Sequence, residues 1–101
     1  MKEFKRSVRL FEERGETSIF IDVGIDESGN VMMSGQDLGK VPQEYWGDSD
    51  YEYAILVNHG ERDELLLALL QQMFSGSREA FSKFRDFLTK YNIKYEFDSW
   101  I

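Results

Sequence analysis

The sequence predicts an α+β fold in one domain, residues 1–101: an antiparallel sheet of about four to five strands with an antiparallel helical hairpin packed on one face. Apolar residues recur at every second position in the first half, which is typical of strands, and at helical spacing in the second half. Each predicted helix has one strongly apolar stripe to bury, which favours packing on one face of the sheet. The expected order of elements is βββ-β-αα-β.

Three strands are predicted in the first third of the chain, in the stretches FKRSVRLF, TSIFIDVGI and NVMMS. The second is the clearest, because apolar or β-branched residues occupy alternate positions at Thr17, Ile19, Ile21, Val23 and Ile25. The stretches EERGE and DESGN between the strands contain the Gly, Asp, Ser and Asn residues that tolerate turn geometry. These three strands should therefore form a meander.

A long loop and a fourth strand are predicted next. The loop GQDLGKVPQEYWGD, residues 35–48, contains three glycines and the only proline, and we expect it to wrap against the core by its own side chains. The strand from Tyr51 to Val57 should alternate its side chains between two faces. One face then carries Tyr51, Tyr53, Ile55 and Val57, and the other carries Glu52, Ala54 and Leu56.

Two helices and a closing strand complete the predicted fold. The stretch ERDELLLALLQQMF opens with carboxylates that suit the positive end of a helix dipole, and Gly76 can take the left-handed conformation that ends a helix. Ser77 can cap the second helix, which should end near Asn92. The last stretch, IKYEFDSWI, alternates apolar and polar residues, which predicts a strand.

The composition excludes several classes of protein. The chain has no cysteine, so disulfides, a thiolate nucleophile and cysteine-ligated metal centres are excluded. Its longest wholly apolar run is Leu65 to Leu70, shorter than a signal peptide or a spanning helix requires. We therefore expect a cytoplasmic protein.

The negative charge lies mainly in the middle of the chain. The net charge is −7, and residues 41–66 combine seven carboxylates with one arginine. An acidic field repels phosphate backbones and anionic lipids and attracts basic proteins. The charge pattern predicts a basic protein partner and predicts that neither nucleic acid nor a membrane is bound, although solubility alone would also explain acidity of this size.

The stretch YWGDSDYEYAILV, Tyr45 to Val57, is the candidate site. It joins aromatic residues, which anchor protein interfaces, to carboxylates, which steer basic partners. Stacking on nucleic acid is disfavoured, because such platforms include Lys or Arg and residues 43–57 contain neither. The predicted partner-binding residues are Asp37, Tyr45, Trp46, Asp48, Asp50 and Glu52. For each residue taken alone, a covered sheet edge or a solvated strand end is the simpler interpretation.

Two alternative functions compete with protein binding. The first is a metal-dependent or acid/base enzyme, in which Asp48, Asp50 and Glu52 would act near His59, the only histidine. The calcium-loop pattern fails, because position twelve counted from Asp48 is His59 where a glutamate is needed. We therefore predict no catalytic residue, no metal ligand and no cofactor. The second alternative is a structural homo-oligomer that associates through FDSWI or an exposed strand edge.

The stretches GQDLG, Gly35 to Gly39, and GDSDYEY, Gly47 to Tyr53, followed by ILV, together resemble a signature of small uncharacterised bacterial proteins. The resemblance implies no catalytic residues. In size, acidity and α+β character the chain is also similar to immunity proteins, which neutralise toxic nucleases and other effectors. That similarity implies a role as an immunity or inhibitor-type protein.

Overall fold

The computed structural model describes residues 3–47 and 49–100, and for Trp46 the backbone alone. Its elements follow the order βββ-α-β-α-α, which confirms the α+β class. The four strands are β1 (Phe4–Glu13), β2 (Thr17–Asp26), β3 (Val31–Gly39) and β4 (Asp50–Val57). The helices are α1 (Lys40–Trp46), α2 (Arg62–Phe74) and α3 (Ala80–Lys90), and a short 3-10 turn, His59–Glu61, precedes α2.

The four strands form one antiparallel sheet in the order β1-β2-β3-β4. This confirms the predicted meander and places the fourth strand beside the third. The pairing of β2 with β3 and of β3 with β4 is regular along its length, whereas the pairing of β1 with β2 shifts between Phe4 and Arg6 and between Arg9 and Phe11. The irregularities are thus confined to one edge of the sheet.

The predicted loop over residues 35–48 is wrong for most of its length. Strand β3 continues to Gly39, and α1 follows directly. Gly35 does not break the strand, because the ring of Tyr53 covers it, whereas Gly39 ends it at a φ of 119° that favours glycine. Pro42 falls in the first turn of α1, where a missing N–H costs no hydrogen bond.

A buried polar turn joins β2 to β3 and to the segment after β4. Asp26 and Asn30 are 4% and 5% exposed. One Asp26 oxygen accepts the N–H groups of Ser28 and Asn30, each at 2.9 Å, and the other accepts the Asn30 amide at 3.1 Å. The Asn30 Oδ1 in turn accepts the backbone N–H of His59 at 2.8 Å. Asn30 therefore fixes the chain where β4 gives way to α2.

The two C-terminal helices are close to their predicted bounds. Gly76 has a φ of 77° and Asn92 a φ of 56°, as expected for residues that follow helix ends. Phe74, the last residue of α2, packs edge-on against Phe84 and Phe87 of α3. Helix α3 begins at Ala80, later than predicted, because Ser77 stabilises a preceding turn by accepting the N–H of Glu79.

The closing strand predicted in IKYEFDSWI is wrong. Residues 93–100 form neither a helix nor a strand. Phe97 instead packs with its ring centroid 5.9 Å from that of Phe81, and the Arg85 guanidinium lies 4.9 Å from the Phe97 ring. The apolar residues of an alternating pattern can pack against a helix as well as pair within a sheet.

By its internal contacts the chain divides into two compact units, Met1–Asp63 with the sheet and Glu64–Ile101 with most of α2 and all of α3. The single domain and the packing of the helices on one face of the sheet stay predictions.

Candidate partner-binding surface on β3 and β4

The register of β3 and β4 sorts the candidate residues onto two faces of the sheet. Asp37 lies opposite Tyr51 and Gly35 opposite Tyr53, and these four residues define the tyrosine face. Gln36 lies opposite Glu52 and Leu38 opposite Asp50, on what we call the carboxylate face. The predicted alternation of side chains along β4 is confirmed.

On the tyrosine face, Tyr53 links β4 to Asp37. Its hydroxyl donates a hydrogen bond to Asp37 Oδ1 at 2.9 Å, and its ring centroid lies 5.4 Å from that of Tyr51. Partial burial of the phenol, and then the bond to Asp37, raise the pKa of Tyr53 above its ordinary value. Gly35 makes this arrangement possible, because the Tyr53 ring occupies the space that a larger residue would need.

On the carboxylate face, Gln36 holds two acidic side chains of β4 close together. Its Nε2 donates to Asp50 Oδ1 at 3.1 Å and to Glu52 Oε1 at 3.4 Å. A neutral amide donor positions the carboxylates without cancelling their charge, as a Lys or Arg there would. Asp50 and Glu52 are exposed. The pair therefore places two exposed carboxylates side by side at this end of β4.

The same face carries a charge-balanced cluster near β1. Arg9 Nε donates to Asp22 Oδ1 at 2.6 Å, and Glu12 accepts from Arg9 and, at 2.9 Å, from Arg14. The bond to Asp22 raises the pKa of Arg9, and the bond from Arg14 lowers the pKa of Glu12. Two cations thus meet two anions, and this cluster does not add to the negative field at β4.

A shallow cavity lies beside this cluster. The Arg9 and Arg14 guanidiniums each lie 5.1 Å from the centroid of the Phe20 ring. The cavity measures about 300 Å³, and its lining residues are Arg9, Arg14, Phe20, Asp22, Ser34, Gly35 and Gln36. Because Asp22 and Glu12 already occupy donors of both arginines, the cavity offers little net charge to an anionic ligand.

The structure brings some of the predicted partner-binding residues together and separates others. Asp37, Asp50 and Glu52 all lie on the paired ends of β3 and β4, but Asp37 belongs to the opposite face. Tyr45 is on α1 and is 76% exposed. The predicted anchor Trp46, as a side chain, and the carboxylate of Asp48 lie outside the described residues.

Of the residues in the enzyme alternative that the structure describes, His59 lies far from Asp50 along the chain. At about 3.4 Å of rise per residue, Asp50 and Val57 at the two ends of β4 are roughly 24 Å apart, and His59 follows Val57. The His59 backbone is occupied in the bond to Asn30. Among residues 3–47 and 49–100, no three His, Cys, Asp or Glu side chains are grouped as a metal ion would require.

Two residues of the surface were missed by sequence reasoning. Gln36 and Gly35 lie in a stretch interpreted as a loop, and their roles depend on the register with β4. One available signal was the spacing of Gln36 and Leu38, which continues the alternation begun at Met32 and Ser34.

No protein-family model, curated protein or solved structure matches this chain. No helix in the described part of the chain is long and apolar enough to cross a membrane.

Proposed function

We propose that this chain is a non-enzymatic binding module that uses the acidic, aromatic surface of β3, α1 and β4 against a basic protein, as an immunity or inhibitor-type protein does. One observation carries the proposal: the Gln36 amide holds Asp50 and Glu52 together on an exposed face. Residues 43–57 contain no lysine or arginine.

Two adjacent carboxylates favour a guanidinium or ammonium group over a neutral one. The attraction acts over about one Debye length, roughly 10 Å at moderate salt, and therefore steers a basic protein before contact. Tyr45 supplies an exposed aromatic ring on α1, a helix that contacts β3 and β4, and aromatic rings anchor protein interfaces. A toxic nuclease presents a basic groove to its substrate, which is the kind of surface that this arrangement fits.

The geometry favours binding over catalysis. An acid/base mechanism needs its groups within hydrogen-bond reach of one reacting atom. The carboxylates of β4 and His59 are separated by the length of the strand, and the hydroxyl of Tyr53 is engaged with Asp37.

The test is charge reversal in β4 with a matched control. The variant Asp50→Lys/Glu52→Lys changes the surface, and Glu96→Lys/Asp98→Lys makes the same change in charge, at the same spacing, in the irregular tail. Basic proteins retained by the immobilised chain are identified, and their association rates are measured over a range of ionic strengths. We expect the β4 variant to associate about tenfold more slowly at low salt and the tail variant to keep most of its rate. Equal losses in both variants would refute a specific surface.

A further inference from the structure

The two edges of the sheet are protected to different degrees. Strand β1 carries two register shifts, near Lys5 and Leu10, and three basic residues, Lys5, Arg6 and Arg9. Bulges, proline and charged side chains, lysine above all, are among the devices by which natural proteins keep other strands from adding to an edge. Strand β1 is therefore a poor template for an additional strand.

Strand β4 has no bulge and no basic residue, and its two charged residues, Asp50 and Glu52, are both acidic. It pairs with β3 without a shift from Val57 to Asp50, and its sequence DYEYAILV contains no Lys, Arg or Pro. In the described part of the chain, β3 is its one strand neighbour. Ile55 is 67% exposed. A regular edge of this kind, with apolar residues from Ala54 to Val57, is a template for strand addition.

The direction of the β4 backbone groups follows from two hydrogen bonds. The Lys40 N–H donates to Glu16 O at 3.0 Å on the β2 side, and the Gly39 N–H donates to Ser49 O at 2.8 Å on the β4 side. Because successive residues of a strand direct their N–H and C=O groups to opposite sides, the odd-numbered residues of β3 bond to the odd-numbered residues of β4. The even-numbered residues Glu52 and Ala54 therefore direct their N–H and C=O groups away from β3.

We propose that β4 accepts an extended segment of the basic partner as a fifth strand, with Lys or Arg side chains beside Asp50 and Glu52. This inference rests on the proposed function and names its binding mode. In an antiparallel addition, the residues that bond to even-numbered positions of β4 also share the carboxylate face, about 5.5 Å away between Cα atoms. The intervening residues of the added segment lie on the tyrosine face, beside Tyr53 and Ile55. Apolar side chains are favoured at these positions.

Charge complementarity favours this occupant over a second copy of the chain. A parallel pairing of two β4 strands would place Asp50 and Glu52 against their own copies. An antiparallel pairing centred on Ala54 would place Glu52 opposite Leu56. Neither arrangement supplies a cation to the carboxylates, whereas a segment of alternating basic and apolar residues does.

The experiment uses a capped, fluorescein-labelled peptide of alternating Lys and Val, matched in length to β4, and measures anisotropy against the full chain. Two N-methylated forms provide the central comparison. In the proposed pairing the Lys N–H groups face β4 and the Val N–H groups face away, so methylation at the Lys positions removes the bonds and methylation at the Val positions spares them. We expect the Lys-methylated peptide to bind at least about tenfold more weakly than the Val-methylated one. Equal affinities would overturn the proposal.

A pair of protein variants tests the same hydrogen bonds by changing the β4 backbone instead of the peptide. Ala54→Pro removes an outward N–H and no bond to β3, and Ala54→Ser keeps that N–H. We expect Ala54→Pro to lower the affinity for the Lys–Val peptide about tenfold. Ala54→Ser should keep that affinity within about twofold of the wild-type value. If Ala54→Pro fails to fold, as judged by circular dichroism, the two methylated peptides decide the question. A wild-type dimer that Ala54→Pro dissociates would assign the edge to a second copy and overturn the proposal.

An alternating Glu–Val peptide separates this inference from the proposed function. If the methylated peptides bind equally while Asp50→Lys/Glu52→Lys weakens the Lys–Val peptide, strand addition is wrong and the acidic surface stands. If the Glu–Val peptide binds as tightly as the Lys–Val peptide, preference for a basic partner is wrong as well.

Discussion

The substitution Gly35→Ala tests the arrangement of the tyrosine face. A Cβ atom at position 35 would come within 2.6 Å of the Tyr53 hydroxyl oxygen and nearer still to two ring carbons. The ring must then move, and the hydrogen bond from Tyr53 to Asp37 is lost. Overpacking of this kind costs about 1–3 kcal/mol, and the hydrogen bond contributes about 1 kcal/mol. Alanine lowers the backbone entropy cost of folding by about 0.5 kcal/mol, which leaves a net loss of about 1.5–3.5 kcal/mol in the free energy of unfolding.

The assay is denaturant unfolding of a double-mutant cycle. Tyr53→Phe removes the hydroxyl alone and should cost about 1 kcal/mol. With Tyr53→Ala already present, the overlap disappears, so adding Gly35→Ala should raise the free energy of unfolding by about 0.5 kcal/mol. An equal cost of Gly35→Ala with tyrosine and with alanine at position 53 would refute the overlap between the Cβ atom and the Tyr53 ring.

Two further predictions concern the polar turn and the tyrosine. Asn30→Ala removes the acceptor of the His59 N–H and a donor to buried Asp26. It should lower the free energy of unfolding, measured by denaturant titration, by about 2–3 kcal/mol. A loss below about 0.5 kcal/mol would contradict the buried network. The pKa of Tyr53 in the folded chain is raised above the ordinary tyrosine value of about 10. The neutral phenol therefore stabilises the fold below about pH 10, and this stabilisation is lost as the pH rises through the raised pKa. Ultraviolet titration should therefore show one tyrosine ionising later than the others, and Tyr53→Phe should remove that late step.

The strands were predictable where a local pattern decides the structure. In β2, apolar residues at every second position over Thr17 to Ile25 indicate a strand with no knowledge of its neighbours. The alternation of Tyr51 to Val57 likewise predicts both the strand and its two faces. Local turn chemistry was equally informative at Gly76 and Asn92.

Non-local contacts account for what the sequence did not predict. Gly35 has the local character of a strand breaker, but the Tyr53 ring from the neighbouring strand covers it and β3 continues. Gln36 gains its role only when the register places it opposite Glu52. In the C-terminal segment, Phe97 finds a partner in the ring of Phe81, so the alternating pattern does not produce a strand.

The most direct test of the proposed surface is an NMR titration of the isotope-labelled chain with the Lys–Val peptide at low ionic strength. We expect the shifted backbone amides to cluster at Gln36 and from Asp50 to Leu56, and the Glu96 and Asp98 amides to stay unshifted. Shifts of equal size at Glu96 and Asp98 would show that the peptide follows overall acidity, and would contradict a binding surface on β3 and β4.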